Sequence, residues 1–263
     1  MTDRLLLRED IGAVTRLTLN TPNSLNALSM AMLTALTDAL VLLAEDRAIR
    51  VVILRGAGKV FCAGHDLKEM QAARAHPDKG AAAFTELFDR CATVMQAITT
   101  LPQPVIAQVH GIATAAGSQL VASCDMALAA EGTRFGVNGV NIGLFCSTPM
   151  VALTRNIPAK AAFEMLTTGQ FIHATRAAEL GLVNRVVAPE SLEAETLALA
   201  RLIAGKLGAA VQIGKRSFYE QIGLPLAQAY AHAGAVMVEN MLWPDTKEGI
   251  DAFLEKRPPD WQH

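Results

Sequence analysis

Short apolar stretches bounded by turn residues alternate with helix-period stretches through the first half of the chain, and the second half carries almost only the helical period. That ordering leaves few architectures open, because strands alternating with helices build a βαβ core and a late run of helices must pack on it or on another copy. Segments 5–9 and 13–19 read as strands about a turn at Asp10-Ile11-Gly12. Ser29 is placed to cap a helix running to about residue 45. Segment 51–54 reads as a buried strand ending in the Gly56-Ala57-Gly58 turn, and Asp66 opens a short helix through 73. Residues 76–80 break the pattern and read as a mobile surface loop. A helix over 83–98 follows, and Pro102 and Pro104 force an extended entry into a strand at 105–109. Residues 115–117 lead into a helix to 123, and 126–129 reads as a strand. From about Thr148 the pattern predicts helices at 149–155, 159–166, 176–180, 190–204, 209–221, 226–239 and 246–254, with one strand at 183–187.

Composition narrows the function classes. Of 263 residues 51% are hydrophobic and 18% charged, which excludes a disordered chain. The net charge of −2 offers no dominant positive field for nucleic acid or an anionic membrane. An apolar chain with so little charge is expected to bury part of its surface against copies of itself. Cysteines at 62, 91, 124 and 146 lack zinc-ligand spacing, and no metal site is expected. The polar start and the lack of a run of ~20 apolar residues give the expectation of a reduced, cytoplasmic protein.

Several motifs fail on inspection. Gly56-Ala57-Gly58 begins like a dinucleotide fingerprint but has Phe61 where the third glycine belongs. The chain has no phosphate loop and no Gly-x-Ser-x-Gly elbow, and its six histidines are scattered. Two small-residue turns remain, each between a strand and a helix: 61–67 (Phe-Cys-Ala-Gly-His-Asp-Leu) and 111–120 (Gly-Ile-Ala-Thr-Ala-Ala-Gly-Ser-Gln-Leu). Such turns either pack tightly or let backbone N–H groups at a helix start approach a ligand oxygen.

The blocks 57–67, His110-Gly111, 115–120, Cys124-Asp125, Phe135-Gly136 and 181–187 together resemble the enoyl-CoA hydratase/isomerase (crotonase) superfamily, and 19–28 and 253–257 match its ends. Segments 112–117 and 143–149 resemble its enoyl-CoA hydratase domain-containing subgroup. The resemblance implies an α/β fold: a crotonase-like spiral of ββα units over about 1–190 and a helical trimerisation region over about 191–263, in one domain spanning 1–263. It implies an acyl-CoA ligand, no cofactor beyond that coenzyme A thioester, and a homotrimer or a dimer of trimers. The oxyanion donors fall on the N–H groups of His65 and Ala116. Asn23, Ser24 and Leu25, with Ala63, Gly64, Asp66 and Leu67, would line the coenzyme A groove together with Gly117 and Asn138. Phe253 and Lys256 would lie near the coenzyme A nucleotide, of this subunit or a neighbour.

The chain departs from the hydratase pattern at two positions. Gln119 and Gly139 stand where the hydratases carry their two catalytic glutamates. An amide cannot shuttle a proton and glycine has no side chain, so ordinary hydration is not expected. Candidates to replace the carboxylates are His65, Asn138, Asn141, Cys146 and Ser147; the His65 ring equally suits pointing to solvent or stacking on the coenzyme. Three functions stay open: an acyl-CoA enzyme of altered chemistry, an acyl-CoA binder without turnover, and an oligomeric scaffold.

Overall fold

The computed structural model describes residues 4–261. Its strands are β1 (Leu6–Ile11), β2 (Val14–Leu19), β3 (Val51–Gly56), β4 (Val105–Val109), β5 (Ile112–Thr114), β6 (Met126–Ala130), β7 (Arg134–Gly136), β8 (Ile172–His173) and β9 (Arg185–Val187). Its helices are α1 (Met30–Glu45), α2 (Leu67–Ala73), α3 (Ala81–Thr100), α4 (Ala116–Ser123), α5 (Ser147–Leu153), α6 (Ala159–Thr168), α7 (Ala174–Leu180), α8 (Leu192–Ala204), α9 (Gly208–Gln221), α10 (Leu226–Met241) and α11 (Pro244–Glu255).

The main sheet runs β1-β2-β3-β4-β6-β9, antiparallel at the β1–β2 hairpin and parallel beyond it. Every residue of β2 and β4 is buried, as a parallel sheet covered on both faces requires. One face packs on α1, through Met32, Leu33, Leu36, Leu40 and Leu43, and on α3, through Leu87, Cys91, Val94, Met95 and Ile98. These residues recur every three or four positions and put one apolar stripe of each helix on the sheet. On the other face Val14, Val51, Ile53, Ile106 and Leu128 meet Leu192 and Ala200 of α8. Arg16 sits buried in that layer because Glu9 and Glu193 pair with its guanidinium at 3.0 and 2.9 Å.

The α/β class, the expected strands of the main sheet and the helical C-terminal region are present, and Ser29 caps α1 through its side chain on Met32 N–H. Three strands were not expected. β5, β7 and β8 form a small second sheet, β5-β7-β8, and at two or three residues each they show no sequence period. The short helical turn Asn138–Ile142 is a further departure. Segment 76–80, expected as a loop, is a compact turn in which Asp78 accepts from Gly80 N–H (3.0 Å) and Ala82 N–H (2.8 Å) at the start of α3.

All four cysteines are buried and free. Burial pushes the Cys62 and Cys91 thiols up to about 12. The C-terminal helices are different in kind: α10 buries none of its residues, and Leu226, Tyr230, Val238 and Leu242 all lie exposed. α9 is fastened to the core by Lys215, whose ammonium donates to Ile98 O, Gln103 O and Asp125 Oδ2 at 2.7–2.9 Å. Tyr219 of α9 donates to the other Asp125 oxygen at 2.8 Å. Lys215 and Asp125 keep only 6% and 13% of their side-chain surface, so removing one partner strands a buried charge. Lys215→Met is expected to cost about 3–5 kcal/mol in urea unfolding of the full chain. Adding Asp125→Asn to it should recover part of that loss; an equal or larger loss in the double variant would contradict the pairing.

Candidate active site

The two small-residue turns lie against each other. Phe61 N–H is shared between His110 O (3.0 Å) and Ile112 O (3.1 Å), and Thr114 N–H donates to Cys62 O at 3.1 Å. From the other side Ala63 N–H donates to Leu25 O at 3.0 Å, and Leu28 N–H to Gly64 O at 2.8 Å. The segment 23–28, the turn 61–67 and the turn 111–120 therefore form one hydrogen-bonded unit.

Glycine is required at its centre. Gly64 has φ +90°, and a Cβ there would lie 3.0 Å from Thr114 O and 3.3 Å from Ala116 N. Gly117 lets Cys62 O approach so closely that a Cβ would stand 2.3 Å away. Ala115, which precedes α4, adopts φ 50°, ψ −119°, a conformation that costs an L side chain energy and persists only where the surroundings impose it. All eight residues of α4 are buried, and Ser118 Oγ donates to Ala113 O at 2.8 Å, so the helix start is firmly held. Among the described residues neither the His65 N–H nor the Ala116 N–H donates a hydrogen bond. Ala116 is fully buried, and an unpartnered N–H in such a place costs energy unless a ligand takes it.

Asn26 was not singled out in the sequence, yet it anchors the unit. It is fully buried; its Oδ1 accepts from Thr21 N–H (3.0 Å) and its Nδ2 donates to Ala57 O (2.8 Å) and Val60 O (2.9 Å). Leu25 and Asn26 both have positive φ, 55° and 54°, at the point where the Leu25 carbonyl meets the 61–67 turn. The only sequence signal was its place beside Leu25 in a matching block. Leu25 and Leu67 lie exposed at the rim, and Asp66 is spent capping α2 through Lys68 and Glu69 N–H.

The His65 side chain neither points to solvent nor stands free. Its ring meets Phe88 edge-on at 5.7 Å, and Nδ1 lies 3.3 Å from Leu28 O. A carbonyl can only accept, so Nδ1 carries the proton and Nε2 is a bare acceptor, buried without a partner among the described residues. Burial lowers the pKa of the ring below its ordinary value; the Leu28 contact and Glu69 oppose this more weakly.

Gln119 is buried one turn into α4, with its Oε1 4.0 Å from Cys91 Sγ. Gly139 is a sealed position: a Cβ there would meet Leu144 O at 2.2 Å and Cys146 Sγ at 2.9 Å. The Asn138–Ile142 turn and the return to Cys146 occupy the room a glutamate would need. Asn138 accepts from Thr114 Oγ1 at 2.6 Å, and Asn141 donates to Gly169 O at 3.4 Å. Burial raises the pKa of Cys146, so it stays a thiol. Ser147 begins α5. Phe253, 81% exposed, and Lys256, the C-cap of α11, have no hydrogen bond or ion pair to the two turns among the described residues.

The enoyl-CoA hydratase/isomerase family model matches residues 9–263. Enoyl-CoA hydratase domain-containing protein 3, mitochondrial, of Mus musculus is 44% identical over 260 residues, covering 99% of this chain and 85% of that protein. A crystal structure of enoyl-CoA hydratase from Mycobacterium smegmatis superposes with a TM-score of 0.95 at 55% identity, covering 99% of this chain and 100% of that one. That of human enoyl coenzyme A hydratase domain-containing protein 3 gives 0.93 at 42%, covering 98% and 100%. The expectation of a cytoplasmic protein is corrected by these relatives: five vertebrate proteins at 44–45% identity are all named as mitochondrial.

Two outcomes follow from the geometry. Gly139→Glu will destabilise the fold by about 1–3 kcal/mol, as overpacking does, and will not restore a hydratase site; a fully stable variant in chemical denaturation would refute the steric argument. The His65 pKa is lowered on folding, so between that value and the ordinary ~6.5 the unfolded chain binds more protons. Stability therefore falls as pH drops below ~6.5, and His65→Gln should flatten that slope in denaturation midpoints taken from pH 5 to 7.5.

Proposed function

The chain belongs to the enoyl-CoA hydratase/isomerase family, and from that premise we propose that it binds acyl-CoA thioesters and polarises their carbonyl through the main-chain N–H groups of His65 and Ala116. The observation that carries this reading is that both amides lack an acceptor among the described residues, in two turns that hydrogen bonds from neighbouring segments hold against each other. Two donors on one carbonyl oxygen stabilise the charge that builds there as the thioester becomes enolate-like. Strain retained at Ala115 favours a working site over an emptied scaffold. Asn23, Ser24 and Leu25 face the coenzyme A across the 63–67 turn, and Phe253 and Lys256 reach the nucleotide of a neighbouring subunit. The exposed apolar side chains of α10 support a homotrimer, alone or paired.

Ordinary hydratase activity is not part of this reading. Gln119 is neutral and Gly139 is closed off by backbone, so no carboxylate handles the water. The same lack supports the second reading, an acyl-CoA-binding protein without turnover.

Calorimetric titration with acetyl-CoA should show binding. The stretching band of a 13C-labelled thioester carbonyl should then move to lower frequency in the complex, as two hydrogen bonds demand. Binding without that shift would remove the oxyanion assignment and leave only the binder. Crotonyl-CoA should be hydrated about 10²–10⁴-fold more slowly than by an enzyme with its acid–base pair intact. Hydration at full rate would overturn the argument from Gln119 and Gly139.

A further inference from the structure

We propose that the His65 ring is the acid–base group of this site, with Nε2 as the atom that takes a proton from the α carbon of the bound thioester and returns it. The inference rests on the thioester reading above and adds a side-chain role to the main-chain one.

The fold fixes the tautomer. Leu28 O, 3.3 Å from Nδ1, can only accept, so the ring proton stays on Nδ1 and the Nε2 lone pair is free. Nε2 is shielded from solvent and has no partner among the described residues. The Nδ1 contact and the edge-on packing against Phe88 hold the ring without any help from Nε2, so packing does not account for the bare nitrogen.

The ring also stands where a proton carrier is needed. Its own residue supplies one of the two amides assigned to the carbonyl oxygen, and the α carbon is one bond from that carbonyl carbon. The ring lies against Phe88 of α3, and Gln119 lies against Cys91, three positions further along the same helix face. Gln119 in turn shares a face of α4 with Ala116, the other amide donor. His65 and Gln119 thus meet one stripe of α3, and the basic nitrogen is on the residue beside the one that has lost its charge.

No other group of the two turns and the α2 they lead into is equally free. Glu69 accepts the Met30 N–H at 2.9 Å, and Asp66 accepts the Lys68 and Glu69 N–H groups. Burial pushes the Cys62 thiol up to about 12, so it keeps its proton. Of the elements around the ring, α2 brings one charge to bear on it, that of Glu69, while α3 meets it through Phe88 and the segment before α1 through the Leu28 carbonyl. Burial outweighs Glu69 and keeps the imidazole neutral, the form a base must have; Glu69 favours the imidazolium once it forms.

In the step, the α C–H bond breaks and its proton passes to Nε2. The electron pair enters the π system of the thioester, and the oxygen gains negative charge between the two N–H groups. The imidazolium then returns a proton to the same carbon and the thioester is restored. Where the ring has traded its proton with solvent in between, solvent hydrogen enters the α position.

The test uses the full chain with acetyl-CoA in D2O, following deuterium in the acetyl methyl group by mass spectrometry, with acetyl-CoA calorimetry in parallel. Exchange should exceed that in buffer and rise with pH to a plateau, with its midpoint below the ordinary ~6.5 of histidine, because the ring must be neutral to act. His65→Asn keeps a donor for Leu28 O in place of Nδ1 and removes Nε2. It should bind acetyl-CoA and unfold near the native midpoint, yet exchange about 10²–10⁴-fold more slowly. Exchange by His65→Asn at the native rate would overturn the assignment, and so would a native rate that shows no inflection below ~6.5; that profile decides alone should the variant not fold. If acetyl-CoA binds but the native chain exchanges its protons no faster than buffer, the His65 proposal falls and the thioester reading stands. If acetyl-CoA does not bind, both fall.

Discussion

The 61–67 turn is the constraint from which the rest of the site follows. Its peptide groups are hydrogen-bonded on one side to 25–28 and on the other to 110–114. Both flanking segments leave strands of the main sheet, so the sheet fixes where the turn can lie. Gly64 and Gly117 permit a closeness that any side chain would block. Within this bonded unit the amides of residues 65 and 116 are among those that no acceptor of the described residues takes. A unit made from main chain in this way depends little on which side chains decorate it.

Much of the fold was legible because burial writes a strong period. Leu33, Leu36, Leu40 and Leu43 of α1 and the continuous apolar runs of β3 and β4 announce their partners without reference to the rest of the chain. β5, β7 and β8 do not, because two or three residues cannot display alternation; they exist through pairing with one another. The site was legible to the same degree. Small residues at 63–64 and 115–117 marked where backbones meet, but Asn26 did not stand out, since two of its three side-chain hydrogen bonds reach residues more than 30 positions away. His65 was open between solvent, coenzyme and chemistry; Phe88, 23 positions away, decides that it is tucked inward.

Positions 119 and 139, where the resemblance to hydratases leads one to expect glutamates, are enclosed in different ways. At 139 the Leu144 carbonyl and the Cys146 sulfur fill the position a side chain would need. At 119 an amide of almost the same shape keeps the packing of α4 against α3. A glutamate at 139 would therefore have to displace backbone, whereas one at 119 would not.

The four cysteines carry a last consequence. Each is enclosed, none is bonded to another, and Cys62 and Cys91 ionise only near 12. Thiolate is the reactive form, so alkylating and oxidising reagents find nothing to attack while the core stays shut. Cys62 lies within the 61–67 turn and Cys91 on α3 beside Gln119. The rate at which a thiol reagent enters is thus a clock for how often the interior opens, readable in the unaltered chain without any introduced label.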